Sequence, residues 1–248
     1  MPRTYSSMSK SREISVDGLT VEIIRKDIKN LYLRIYPPDG RIRMSAPLRA
    51  SDEAARLMVE SRLKWIKRKR ARFAGQERQS ARDYVSGENH WFLGRRYRLN
   101  VIEQSGPGRV DVRDNGTLDL FVRGGGDQAQ RKMVFLAWYR NELKALAQPL
   151  VEKWAHTMGL PVPACRVKRM KTRWGTCNIR ARRIWLNLEL IMRPRQCTDF
   201  IIVHELAHFY ERLHNDRFTD LMDEYLPQWR QCRDELNSAP ISHEHWGY

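Results

Sequence analysis

Between Phe200 and Phe209 an apolar stretch is interrupted by two histidines and a glutamate, in the order His204-Glu205-Leu206-Ala207-His208. Polar groups in such a run are costly unless the fold gives them partners. On an α-helix, residues four apart differ by about 40° in azimuth, so both imidazoles project from one face. Two imidazoles so placed can grip one metal ion, and Glu205 stands beside them to take a proton from water. The pattern predicts a helix containing Phe200 to Tyr210 and, at its end, the site of a zinc-dependent hydrolase.

Zinc in a catalytic site takes three protein ligands and leaves a fourth position open. His214 lies six residues after His208, and histidine occupies only 7 of 248 positions, so a third one at this spacing is informative. If the helix continued, His214 would be rotated about 240° from His208 and would face away. The helix is therefore expected to end before His214, with Asn215 and Asp216 suited to a C-terminal turn or to capping the next helix. The other histidines, His90, His156, His243 and His245, have no comparable spacing and read as surface or structural groups.

The remainder of the chain alternates before it becomes helical. Leu31, Leu33 and Ile35 fall on one side of a strand and Ile42 and Met44 continue the pattern after Pro37-Pro38-Asp39-Gly40, which predicts a β-hairpin. Ser51, followed by Asp52 and Glu53, reads as the N-cap of one helix from about 51 to 73. Strands are expected near Tyr97–Ile102, Val110–Val112 and Leu118–Val122, the last two joined by the turn Asp114-Asn115-Gly116-Thr117. A second helix is expected from Asp127 to about His156, with a kink at Pro149 and a stop at Gly159 and Pro161. Short strands follow at Arg166–Met170 and Arg183–Leu188, and one or two helices after the metal motif. The run Gly124-Gly125-Gly126 suggests a domain boundary, with a β-rich N-terminal region over 1–124 and a second domain over 125–248.

Lys and Arg number 45 against 29 Asp and Glu, a net charge of +16, which favours anionic partners without naming one. The positive charge is concentrated in two runs. Arg62 to Arg72 lies on the first expected helix, and Arg166 to Arg183 places eight cations around Trp174 and Trp185. Each run is either a solvated face or a surface for nonspecific nucleic-acid contact. Four cysteines without a C-x-x-C pair argue against a disulfide framework and for a reducing compartment. Met1–Arg12 lacks the apolar segment of a secretory signal and no stretch approaches the roughly 20 apolar residues of a membrane span, so a cytoplasmic location is expected.

Taken together, Lys171-Thr172-Arg173-Trp174-Gly175-Thr176-Cys177, the Leu-Asn-Leu core of Ile184–Leu190, Pro194, Ile202–His208, His214, Phe218 and Leu226-Pro227 resemble the YgjP-like metallopeptidases. That family is related in its catalytic core to SprT-like proteins and the wider zincins. The likeness extends to the early strands, the Trp65-Ile66 helix, the Leu93–Tyr97 segment and the Trp138-Tyr139 helix. The departures are Thr176 where Ser is usual, Leu213 and Asn215 flanking the third His, and Thr219 after Phe218; none removes a ligand. The metzincins place a third His at the same spacing but need Gly where this chain has Glu211, a weaker relationship.

The resemblance implies an α+β protein, a β-rich N-terminal half followed by a zincin-like domain with the H-E-x-x-H helix and a small sheet. It implies one Zn2+ per chain on His204, His208 and His214, with Glu205 as general base. Arg173 and Trp174 are the candidate substrate-binding residues, Arg173 as a group that meets negative charge in the transition state. A metallopeptidase acting on a peptide or protein is the first expectation. A nucleotide pyrophosphatase and a nucleic-acid-associated SprT-like protein are the alternatives.

Overall fold

The computed structural model describes residues 11–36, 39–75, 82–170 and 173–238. The Pro37-Pro38 turn, Lys171, Thr172, His243 and His245 lie outside the described residues. Two compact units divide near residue 80.

In the first unit, strands β1 (Ser11–Val16), β2 (Leu19–Lys26), β3 (Tyr32–Tyr36) and β4 (Arg41–Pro47) form a sheet in the order β1-β2-β4-β3. The expected hairpin is β3 and β4, antiparallel with Leu33 opposite Met44 and Ile35 opposite Ile42. Strands β2 and β4 run parallel. Alternate residues Val21, Ile23, Ile42 and Met44 are buried together with Ala55, Val59 and Ile66 from two helices, α1 (Asp52–Ser61) and α2 (Leu63–Gly75). Ser51 caps α1 by accepting the Ala54 N–H. The single helix expected over 51–73 is thus two. Arg62, at φ −115° and ψ 9°, leaves the helical region and turns its N–H to the Val59 carbonyl at 3.0 Å. The apolar period of Ala55, Val59 and Ile66 runs through this break, which is why periodicity alone does not reveal it.

The second unit contains two sheets. Strands β5 (Asn89–Phe92), β6 (Arg95–Gln104), β7 (Arg109–Val112) and β8 (Thr117–Arg123) pair in the order β5-β6-β8-β7. Leu99, Leu118, Leu120 and Val122 of this sheet share a core with Phe135, Tyr139 and Leu143 of α3 (Gln128–Thr157), a helix capped by Asp127 that continues through Pro149. The glycine run at 124–126 is therefore a turn within one unit, between β8 and α3. Gly125 has φ +75°, and a side chain on Gly126 would meet Gln130 and the Arg123 carbonyl. Glycine satisfies both demands; the apolar faces of β8 and α3 then bury each other, which keeps the two elements in one unit.

The smaller sheet holds β9 (Ala164–Lys168), β10 (Gly175–Asn178) and β11 (Arg183–Asn187) in the order β10-β11-β9, so β10 is an edge strand. Its inner face, with Ile184, Leu186 and Val167, joins the core that also buries α4 (Arg195–Ala207). A 3-10 turn (Leu188–Met192) leads from β11 into α4, and α5 (Asp216–Tyr225) and α6 (Trp229–Ser238) follow. The protein is an α+β structure, β-rich in its N-terminal half and helical toward its C-terminal end. No helix among the described residues is long and apolar enough to cross a membrane.

Candidate metal centre

The helix that carries the motif is anchored at its start. Gly94, at φ +80°, lies so close to Pro194 that a Cβ would stand 2.8 Å from its ring, and Leu93 and Gly94 donate to the Ile191 and Met192 carbonyls at 2.8 and 3.3 Å. This holds the turn before α4 against the β5–β6 connection. Asn187, only 2% exposed, fixes the next wall. Its amide donates to the Met170 and Arg173 carbonyls at 2.9 Å each and accepts from Met170 N–H at 3.2 Å. A buried amide satisfied on both ends is a rigid staple.

Helix α4 ends at Ala207, with His208 as its C-cap; the Tyr210 and Glu211 N–H groups return to the Ala207 carbonyl at 3.0 Å each. The chain thereby turns before His214, as the spacing requires, and Asn215 caps α5 by accepting the Phe218 N–H at 3.1 Å. His214 stands just outside that cap. The three imidazoles meet: ring centroids are 5.0 Å apart for His204 and His208, and 4.9 Å for each pair with His214. The Nε2 atoms of His204 and His214 are 3.1 Å apart. Phe218, 4% exposed, packs its ring within 4.7–4.9 Å of all three.

One donor nitrogen from each histidine falls within 4.8 Å of the others, a set that can hold a metal ion. Burial, with the neighbouring His208 and His214, pushes the His204 imidazole down to about 3; burial and His208 lower His214 as well. Neutral imidazole is the ligating form. The Nδ1 of His208 faces the Glu211 carbonyl at 3.0 Å, which leaves its Nε2 for a ligand role. Three convergent imidazole nitrogens fit the borderline-soft divalent ions such as zinc.

Glu205 is 4% exposed, and burial raises its carboxyl to about 8 against the opposing charge of Arg173. Its neighbour across the cleft is Gly175, where a Cβ would sit 2.5 Å from Glu205 Oε1 and 2.8 Å from Ile201 Cγ2. The edge strand β10 therefore approaches α4 at a distance only glycine allows. This positioning residue escaped the sequence reading, although it stands in the Trp174-Gly175 pair that carries the resemblance. Cys177, on the same strand, has its thiol pushed up to about 12 by burial and by Glu205, so it is protonated and no nucleophile.

These groups line a cavity of about 820 Å³. Arg173, Trp174 and all of β10 form one wall, Phe200, Ile201 and the metal motif another, and Arg233, Leu236 and Asn237 of α6 a third. Both candidate substrate-binding residues, Arg173 and Trp174, thus face the same space as the histidines. The basic run over 166–183 divides: Arg173 and Arg180 line the cavity, whereas Arg166, Lys168 and Arg183 lie 4.6–5.9 Å from the centre of the Trp185 ring. On α2, Lys67 pairs with Asp17 at 2.6 Å. All four cysteines are free thiols.

Solved structures that resemble a part of the chain include two metallopeptidase zymogens. The metallopeptidase zymogen abylysin of Pyrococcus abyssi is 19% identical, with a TM-score of 0.34 over 36% of this chain and 90% of its own. The metallopeptidase zymogen jannalysin of Methanocaldococcus jannaschii is 17% identical, with a TM-score of 0.33 over 36% and 92%. No curated protein matches. The family model of the YgjP-like metallopeptidase domain matches residues 29–239, a span that begins within the first unit, after β2, and includes every residue of the histidine cluster. The chain belongs to the YgjP-like family and is a metal-dependent peptidase by that membership.

Proposed function

We propose that the protein is a zinc peptidase in which His204, His208 and His214 hold the ion and Glu205 is the general base. The observation that carries this reading is the convergence of three imidazole nitrogens beside a buried carboxylate on the floor of one cavity. When bound, zinc supplies a Lewis acid for the scissile carbonyl and makes water acidic near neutral pH.

The chain's own residues do the rest. Glu205, brought back to its ionised form by the charge of the ion, accepts the proton of the attacking water and returns it to the leaving amine. Strand β10 offers an unpaired edge along the cavity, so an extended peptide adds to it as a further strand and is held by main-chain hydrogen bonds. Gly175 brings that edge to Glu205, which places the reacting bond near this point of the strand. Arg173, in the wall beside Glu205, meets the negative charge that develops on the carbonyl oxygen, and Trp174 gives the peptide an apolar flank. The free thiols support a reducing, cytoplasmic setting.

The test is a turnover screen of peptide, protein and nucleotide substrates with zinc-loaded protein and its Glu205→Gln variant. Peptide cleavage that falls by about a hundred- to ten-thousand-fold in the variant, with metal content retained, is expected. Cleavage at an unchanged rate, or only of nucleotides, defeats the proposal.

A further inference from the structure

Four arginines, Arg173, Arg180, Arg212 and Arg233, line the cavity, and among the described lining residues Glu205 is the only carboxylate. The described lining thus carries four formal cations to one acid, the same sign as the excess of 45 cations over 29 acids in the whole chain. The four come from separate elements: Arg173 precedes β10, Arg180 follows it, Arg212 lies in the loop that presents His214, and Arg233 is on α6. Arg180 and Arg212 form no ion pair with a carboxylate among the described residues, Arg173 acts on Glu205 inside the cavity, and Arg233 pairs with its neighbour Asp234 at 3.1 Å. Charges of one sign gathered on three sides of a cleft focus their field into it.

We infer that the cavity selects peptides with acidic side chains flanking the scissile bond, with Arg180 and Arg212 as the principal determinants. This rests on the peptidase reading given above. The cavity's one strand edge distinguishes an acidic peptide from a small phosphate. Strand β10 has four residues and runs about 13 Å at about 3.3 Å per residue, with an arginine close beyond each end. A peptide paired along it carries its side chains past Arg173, two positions before Gly175, and toward Arg180, five positions after it. The planar guanidinium matches a carboxylate with two parallel hydrogen bonds, and each such pair at a partly exposed rim is worth up to about fivefold in affinity.

The experiment measures binding of fluorescent peptides that differ only in carrying Glu, Gln or Lys at the flanking positions. The receptor is the zinc-loaded full chain with Glu205→Gln, which does not consume them. The glutamate peptide is expected to bind about tenfold more tightly than the glutamine peptide, the lysine peptide more weakly still. In the further double variant Arg180→Glu, Arg212→Glu the order of the glutamate and lysine peptides should reverse, with circular dichroism and zinc content unchanged. Equal affinities for the glutamate and glutamine peptides, no binding of any peptide, or a preference that survives the double reversal overturns the inference. So does displacement of the glutamate peptide by inorganic triphosphate at a lower concentration than by unlabelled peptide, which assigns the arginines to phosphate. Peptide cleavage by the wild-type chain is scored separately. Its absence defeats the peptidase reading, whereas cleavage without charge preference defeats only the selection proposed here.

Discussion

Gly175 lies so near Glu205 that a single methyl group on its α-carbon would stand 2.5 Å from the carboxylate Oε1 and 2.9 Å from Glu205 Cγ. An edge strand and a catalytic-motif helix meet at this pair, and the spacing between them sets where a substrate strand lies relative to the carboxylate. In Gly175→Ala the carboxylate or the strand must shift, because Ile201 closes the other side at 2.8 Å. A stability loss of about 1–3 kcal/mol is expected from overpacking, with kcat/KM falling at least tenfold. Denaturant melts together with peptide turnover check both; wild-type values in each would show that the close approach is unimportant.

Metal content provides the next test. His204→Ala and His208→Ala are each expected to reduce zinc, measured by elemental analysis after dialysis, to a small fraction of one ion per chain. In the wild type, zinc at a hundred times its Kd should add about 2.7 kcal/mol to the unfolding free energy. Chelator should remove that increment from the wild type and change the two variants little. Full occupancy in both variants would locate the ion elsewhere.

Asn187 is not among the residues that line the cavity, yet the wall that contains Arg173 and Trp174 hangs on its amide. Replacing it by Leu removes hydrogen bonds to Met170 and Arg173 and leaves their carbonyls without this donor. These bonds are part-buried, so the expected cost is about 0.5–1.5 kcal/mol for each one lost. Turnover should show a raised KM while zinc content is kept, since the histidines sit on other elements. A variant that is as stable as wild type would contradict the staple.

Stability should also fall in acid because of His90. It is fully buried beside Phe135 at 4.5 Å and Arg82 at 3.2 Å, and burial, with the Arg82 charge, lowers its imidazole to about 3 from an ordinary 6.5. The unfolded chain binds a proton below 6.5 that the folded chain refuses. The contribution is therefore complete above 6.5 and is lost as pH falls from there toward 3, by roughly 1.4 kcal/mol per pH unit. His204 and His214 act in the same direction in metal-free protein, so the quantity to measure is the stability difference between wild type and His90→Gln at pH 7 and pH 5. A difference that does not change with pH would mean that His90 titrates normally.

The helix bearing His204, Glu205 and His208, the turn needed before His214 and the alternation of β3 with β4 are all legible in the sequence because each depends on spacing within a few residues. A period of 3.6 or of 2 is written locally, and so is the requirement that an i, i+4 pair share a face. The break at Arg62, the inclusion of Gly124–Gly126 inside one unit and the role of Asn187 are not written that way. Each depends on what packs across the chain: which strand α3 covers, which loop Asn187 reaches. The same holds for the cavity. Gly175 and Glu205 are thirty positions apart and His214 ends a separate turn, and Arg180, Arg212 and Arg233 have no common spacing in the chain. The sequence by itself determined which side chains can hold a metal and accept a proton, since ligand chemistry and helical spacing are local properties. Only the tertiary structure decided how closely β10 approaches Glu205 and which charges surround it, because those follow from the packing of sheet against helix.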